Sequence, residues 1–430
     1  MTTLLILLIF VTFTLLMMLR KIPAVVALPL MGLAFSLAAG VSLEKINNQV
    51  FGEGIFLLKE AIFPVFLAAI LGQIIAKSRV AESIVKLAAE LGGDNPFTIT
   101  VLCFLAILFC FIGLMGTGAL IMVGIIVLPI MMSVGVPPRL ASAVLLFGYF
   151  LGYQLNIARW QVVAELVNVP LLTVGKFAMV FLVPGVIVTI LMILFGLKFE
   201  KRRIYAWSMP GDKAASGNRG GSPLVRWYAM ISPVVPLACV LLFKMHIITG
   251  LIVGILYTIL STQWQVRFRG VWNLLHQSIF EGFKDSALTV ALMFGVGILV
   301  TAATLPELSA PINALLQWVE PKGVWSFILL FGIVGTPLGM YRGPMNPWGL
   351  GGAIARLMSK GELSSGALAG AFWTMDFVVG VADPTDSQIV WVSGYVNESP
   401  ARIVQFLLPF AWLLGLIGTV LTIIMFPLFD

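Results

Sequence analysis

Apolar residues fill this chain in long blocks, and charges are confined to short clusters between them. The blocks cover roughly 2–19, 22–42, 56–76, 96–134, 138–164, 171–197, 228–243, 246–262, 285–303, 324–358, 365–393 and 402–428. Most are close to the ~20 residues that a helix needs to cross ~30 Å of hydrocarbon. Backbone amides cannot be hydrated at that depth, so the pattern predicts an all-α polytopic membrane protein.

Two blocks, 96–134 and 324–358, are too long for one crossing. Met115-Gly116-Thr117-Gly118 interrupts the first, and Tyr341-Arg342-Gly343-Pro344-Met345-Asn346-Pro347 the second. Small and polar residues in such places predict re-entrant hairpins, which enter and leave on the same side. Two further blocks carry polar residues inside a helix. Gln154, Asn156 and Arg159 lie within 138–164, and Asp383-Pro384-Thr385-Asp386-Ser387 within 365–393. Proline removes an amide donor and pushes the preceding residue out of helix, so interrupted helices are expected here. That leaves about ten spanning helices and two hairpins.

The basic residues orient this arrangement. With Arg20 and Lys21 in the cytoplasm and the N-terminus outside, Lys77, Arg79, Lys86, Arg139, Arg267, Arg269 and Arg402 also fall inside. So does the charged stretch 198–227, whose Gly211-Asp212-Lys213-Ala214-Ala215-Ser216-Gly217 has the composition of a flexible linker. Counting the hairpins as crossings destroys this agreement. The two sides of the linker also follow the same plan. Lys59-Glu60 opens an apolar helix that reaches Gly72, and Lys284-Asp285 one that reaches Gly297. Amphipathic stretches at 79–92 and 305–320 follow, suited to the membrane surface. Next come the hairpin, the interrupted helix and a closing helix. The chain divides into a first repeat at 1–197, a cytoplasmic linker at 198–227 and a second repeat at 228–430. The second starts from the opposite side, so the repeats are inverted.

Composition narrows the function classes. The residues are 60% hydrophobic and 10% charged, with a mean hydropathy of +1.05; a soluble domain of this size could not keep its surface wet. The net charge of +7 sits in loops, where it serves topology, so nucleic acid is not an expected partner. Cys103, Cys110 and Cys239 lie inside apolar blocks without metal-ligand spacing and are expected to pack. The first block has no basic leader or cleavage site and is expected to remain as a helix. No cofactor is expected.

Inverted-repeat carriers place their site where discontinuous helices expose backbone groups near the midplane. A half-helix N-terminus favours an anion. The candidate substrate-binding residues are Gly116, Thr117 and Gly118 at the first tip, Arg342, Gly343 and Asn346 at the second, and Gln154, Asn156, Arg159 and Thr385 at the interruptions. Arg342 supplies a fork suited to a carboxylate, and Arg159 is either a second anion-binding charge or a partner of Glu165. Intramembrane carboxylates are normally functional. Asp383 and Asp386, with Ser387 and Asn156, are therefore the expected coupling-ion site, taking sodium or a proton. Lys59-Glu60 and Lys284-Asp285 suit interfacial ion pairs. The tryptophans at 160, 318, 325, 348, 373 and 391 suit interface belts, with Trp348 able to line the site.

This order of helices, surface helix, hairpin, interrupted helix and closing helix, repeated inverted, resembles the ion transporter superfamily. That group includes gluconate permeases, citrate and divalent-anion carriers, and the large membrane subunit of tripartite periplasmic transporters. Thr117 and Asn346 echo the Ser-Asn-Thr hairpin tips of the divalent-anion carriers. The resemblance implies a homodimer in a bacterial-type inner membrane. It further implies a fixed scaffold and an elevator-like transport domain that carries a small organic anion, a carboxylate or sugar acid, with sodium or protons. A binding-protein-dependent subunit and a cation/proton antiporter are the alternatives. An enzyme is not expected: aspartyl chemistry needs acids on facing helices, whereas Asp383 and Asp386 share one segment.

Overall fold

A computed structural model describes residues 2–199, 225–263 and 268–429. The expected linker falls almost wholly outside them, with Lys201, Arg202, Arg203, Lys213, Arg219 and Arg267. Every regular element among the described residues is helical, as the apolar blocks require. The first part of the chain gives α1 (Thr2–Met18), α2 (Ala24–Ala38), α3 (Lys59–Lys77), α4 (Val80–Gly92), α5 (Pro96–Phe111), α6 (Gly116–Ser133), α7 (Pro138–Tyr153), α8 (Ile157–Val167) and α9 (Leu171–Phe199). The second gives α10 (Val235–Leu241), α11 (Ile247–Gln263), α12 (Phe268–Ala303), α13 (Pro306–Val319), α14 (Val324–Arg342), α15 (Leu350–Met358), α16 (Ser365–Ala382), α17 (Ser387–Val396) and α18 (Pro400–Met425). Among the described residues, seven helices are long and apolar enough to cross a membrane, and the bent pair α7–α8 makes an eighth if taken as one span. Others, such as the 17-residue α1, are shorter, about 25 Å at 1.5 Å per residue.

α5 and α6 occupy the block expected to form the first hairpin, and α14 and α15 that of the second, each block broken where small and polar residues interrupt it. The interrupted helices are α7–α8, bent by 66° at the break, and α16–α17. Asn95 opens α5 by accepting from the amides of Phe97 and Thr98, and Pro96 and Pro138 occupy first-turn positions where no amide is needed. α14 contains a π-helical stretch at Ile328–Val334, a local widening that precedes the tip.

Two ion pairs establish the relative direction of α3 and α12. Lys45, just after α2, meets Glu307 at the start of α13 at 2.6 Å. Lys77, at the end of α3, meets Glu281 in α12 at 2.9 Å. α3 therefore runs from the Lys45–Glu307 end to the Lys77–Glu281 end, and α12 runs back. α3 and α12 are therefore antiparallel.

One expected boundary is corrected. Lys284-Asp285 does not open a helix, because α12 begins at Phe268. Leu274, Leu275 and Ile279 pack against the core there; their helical spacing carries an amphipathic extension that a search for apolar runs passes over. Nor do Lys59-Glu60 and Lys284-Asp285 form ion pairs within themselves, since neighbours in sequence point apart on a helix. The first turn of α3 is instead capped from a distance. Glu165 of α8 accepts from the amides of Glu60 and Ala61, each at 2.8 Å, and its own carbonyl accepts from Arg356 of α15 at 3.3 Å.

A carboxylate on two orphan amides at a helix N-terminus contributes about 1–2 kcal/mol. Glu165→Ala is expected to destabilise the protein by that amount, and Glu165→Gln by less, in denaturant unfolding of the detergent-solubilised chain. Equal stability of Glu165→Ala and the native protein would remove the cap from the account.

Candidate functional site

The two interrupted helices and the two hairpin tips converge. At the first break, Asn156 caps α8 by accepting from the Ala158 amide at 3.0 Å. Its amide group donates to the Ile112 carbonyl at the first hairpin tip, 3.1 Å away. Asn346 does the same work in the second half: it accepts from the Trp348 amide at 3.0 Å and donates to the Gly339 carbonyl at 3.1 Å. At the second break, Asp383 accepts from the Thr385 amide at 2.9 Å. These side chains satisfy backbone groups that the breaks release.

The first tip also touches the second break. Thr117, in the first turn of α6, lies 3.0 Å from Ser387, in the first turn of α17, hydroxyl to hydroxyl. Ser387 also contacts Asp386 and Gln388. Gly116 has φ +89°, a conformation open to glycine and strained for other residues. A Cβ on Gly116 or Gly118 would lie within 3.9 Å of the Asp285 carboxylate. Asp285, a residue without an assigned site role in the sequence, accepts from Gln73 at 2.6 Å. A cavity of about 380 Å³ opens beside them, lined also by Lys77 and Lys284.

At the second tip Tyr341 and Arg342 both take left-handed backbone angles, φ 54° and 57°. A Cβ on Gly343 would meet the Leu338 carbonyl oxygen at 2.1 Å, so the tip closes only with glycine there. Arg342 is exposed, and its guanidinium acts electrostatically on Asp386, which in turn feels Asp383. Thus Arg342, Asp383, Asp386, Ser387 and Thr117 belong to one neighbourhood, with Thr385 in the loop between the aspartates.

Arg159 is buried, with 1% exposure, and its partner is Asp376 of α16. This corrects the pairing with Glu165, which is committed to α3. The guanidinium lies 4.4 Å from the ring centre of Tyr153 and 5.1 Å from that of Trp373. Trp348 donates its indole N–H to the other oxygen of Asp376 at 2.7 Å. Trp160 and Trp373 are fully buried, unlike interface-belt residues, and Trp160 donates to the Gln154 carbonyl at 2.7 Å. Trp318 and Trp325 are 92% and 84% exposed, as a belt requires. Both amide atoms of Gln154, with Nε and Nη1 of Arg159, are buried without a hydrogen-bond partner among the described residues.

Removing one member of a buried ion pair leaves an uncompensated charge, a penalty of about 3–5 kcal/mol. Asp376→Ala is expected to destabilise the protein by that much. The double variant Arg159→Met, Asp376→Leu should recover most of the loss in the same unfolding assay. A double variant no more stable than Asp376→Ala would contradict the pairing.

No family model and no curated protein match this sequence. Solved structures do. The YdaH transporter of Alcanivorax borkumensis aligns over 90% of this chain and 91% of its own, with TM-score 0.57 and 16% identity. MtrF of Neisseria gonorrhoeae, described within a class of antimetabolite efflux pumps, aligns over 89% of this chain and 85% of its own, with TM-score 0.57 and 15% identity. The chain is an all-α polytopic membrane protein with the fold of these two.

Proposed function

We propose that this protein is an ion-coupled secondary active transporter of a small organic anion, a carboxylate or sugar acid. The observation that carries the reading is Arg342, exposed at the second tip within electrostatic range of Asp386, which in turn feels Asp383. A cation beside two intramembrane carboxylates offers an anion and a coupling ion adjacent sites. In this reading Arg342 receives the substrate carboxylate, and the first turns of α6 and α17, with Thr117 and Ser387, supply polar contacts. Asp383 and Asp386 bind sodium or carry a proton. The unpartnered donors of Gln154 and Arg159 are further groups that a polar ligand satisfies. A fold shared with a transporter and an efflux pump supports transport in general.

The same proposal takes the chain as a homodimer in a bacterial-type inner membrane, with N-terminus outside and linker inside, working by an elevator-type movement. A second reading, a cation/proton antiporter, gains from one observation. Asp376 neutralises Arg159, so one of the two arginines that disfavour a cation site is already compensated.

A panel of carboxylates and sugar acids, screened by thermal shift with and without sodium, identifies the substrate; saturation at about 100 times Kd stabilises by about 2.7 kcal/mol. Arg342→Ala is then expected to raise the half-saturating concentration for uptake into proteoliposomes by about 10- to 150-fold, the loss of a charge-assisted contact. Unchanged uptake at sub-saturating substrate would take Arg342 out of the site. Sodium-driven proton flux with no organic anion present would favour the antiporter.

The double variant Asp383→Asn, Asp386→Asn should still exchange substrate across the membrane but fail to accumulate it. If sodium is the coupling ion, the single variants should raise the sodium concentration for half-maximal uptake. Full concentrative transport by the double variant contradicts both forms.

A further inference from the structure

A cavity of about 430 Å³ lies between the second hairpin and helices α1, α2, α12 and α13. Its walls are apolar throughout, with Phe10 of α1, Met31 of α2, Leu299 of α12, Leu316 of α13 and Ala353 of α15 among them. An apolar cavity of ~150 Å³ holds one benzene. The space here is roughly three times larger, room for on the order of 18 carbons, which is one acyl chain.

A second cavity, of about 420 Å³, adjoins the first, since Leu316 and Leu357 line both. This one is polar, and its charged residues are Glu320, Lys322, Lys360 and Glu362. Glu320 is committed to the protein, accepting from the amides of Glu362 and Leu363 at 3.1 and 3.3 Å. Lys322 and Lys360 form no ion pair among the described residues. Burial, and then the nearby positive charge of Arg356, lower the pKa of Lys360 from its ordinary value. The chamber thus holds two lysines beside two carboxylates, of which Glu320 is already engaged by backbone amides. Trp318, which lines the apolar chamber, is exposed, and a tryptophan so placed belongs at headgroup depth.

An apolar chamber with room for one acyl chain, beside a polar chamber whose two lysines form no ion pair among the described residues, has the layout of a phospholipid. We propose that a membrane phospholipid occupies both, one acyl chain between the second hairpin and α1, α12 and α13, its phosphate between Lys322 and Lys360.

The test uses the full chain, delipidated in detergent, with thermal unfolding followed by tryptophan fluorescence. Dioleoyl phosphatidylglycerol is expected to raise the midpoint by several degrees. Dioleoylglycerol, which lacks the phosphate, and glycerol 3-phosphate, which lacks the chains, should each give less than half that shift. Lys322→Gln, Lys360→Gln should weaken the phospholipid response by about 30-fold in concentration, at about 1 kcal/mol per basic residue. Ala353→Phe, which fills the apolar chamber, should abolish it. If Ala353→Phe does not fold, the exposed lysine variant carries the test alone. A dioleoylglycerol shift equal to that of the phospholipid, or an undiminished response in the lysine variant, overturns the proposal.

Discussion

A helix broken inside hydrocarbon releases amides and carbonyls that water cannot reach, and each must find a partner within the protein. Much of the chemistry at the centre of this protein answers that requirement. Asn156 and Asn346 each serve one orphan amide and one orphan carbonyl. Asp383 serves the amide two residues on, and Glu165 serves two amides of another helix. Because Asn156 reaches the first hairpin, and Glu165 joins α8 to α3, satisfying the breaks also fixes where the elements sit. Side chains that cap in this way are anchored, and beside them Gln154 and Arg159 keep buried polar atoms without a hydrogen-bond partner among the described residues.

The buried charges follow the same logic. Arg159 and Asp376 come from different halves of the chain, and each is too costly to bury alone. Together, with the Trp348 indole on the second carboxylate oxygen and two aromatic rings near the guanidinium, they join the two interrupted helices and the second hairpin. The pair is closed to solvent. Arg342 is the contrasting case, a guanidinium at a tip and in the open.

The breaks in the helices were legible in the sequence because glycine, proline and polar residues stand out inside apolar blocks. Their partners were not. Arg159 and Asp376 are 217 residues apart, and nothing local to either distinguishes Asp376 from Glu165 as the nearby acid. The early start of α12 was hidden because its first turns are amphipathic and lack an apolar run. Trp160 and Trp373 were misassigned for a different reason. An indole has an apolar body and one donor, which suits an interface and equally a buried site with a carbonyl in reach, as Trp160 finds at Gln154. Gln73 and Asp285 were passed over because neither interrupts its helix; only the close approach of α6 gives them significance.

The two tips, similar in sequence logic, differ in restraint. The first is tied to both interrupted helices, through Asn156 to Ile112 and Thr117 to Ser387. Each of these contacts contributes about 1 kcal/mol. The second is held by bonds within itself, Gly343 to Met340, Met345 to Leu338 and Asn346 to Gly339. It also holds Tyr341 and Arg342 in left-handed geometry, which disfavours each by about 1–2 kcal/mol. Opening the first tip therefore breaks contacts with its neighbours. Rearranging the second releases strain and leaves its anchor, Trp348 on Asp376, intact. On these terms the second tip is the less restrained of the two by its neighbours, and Arg342 sits on it.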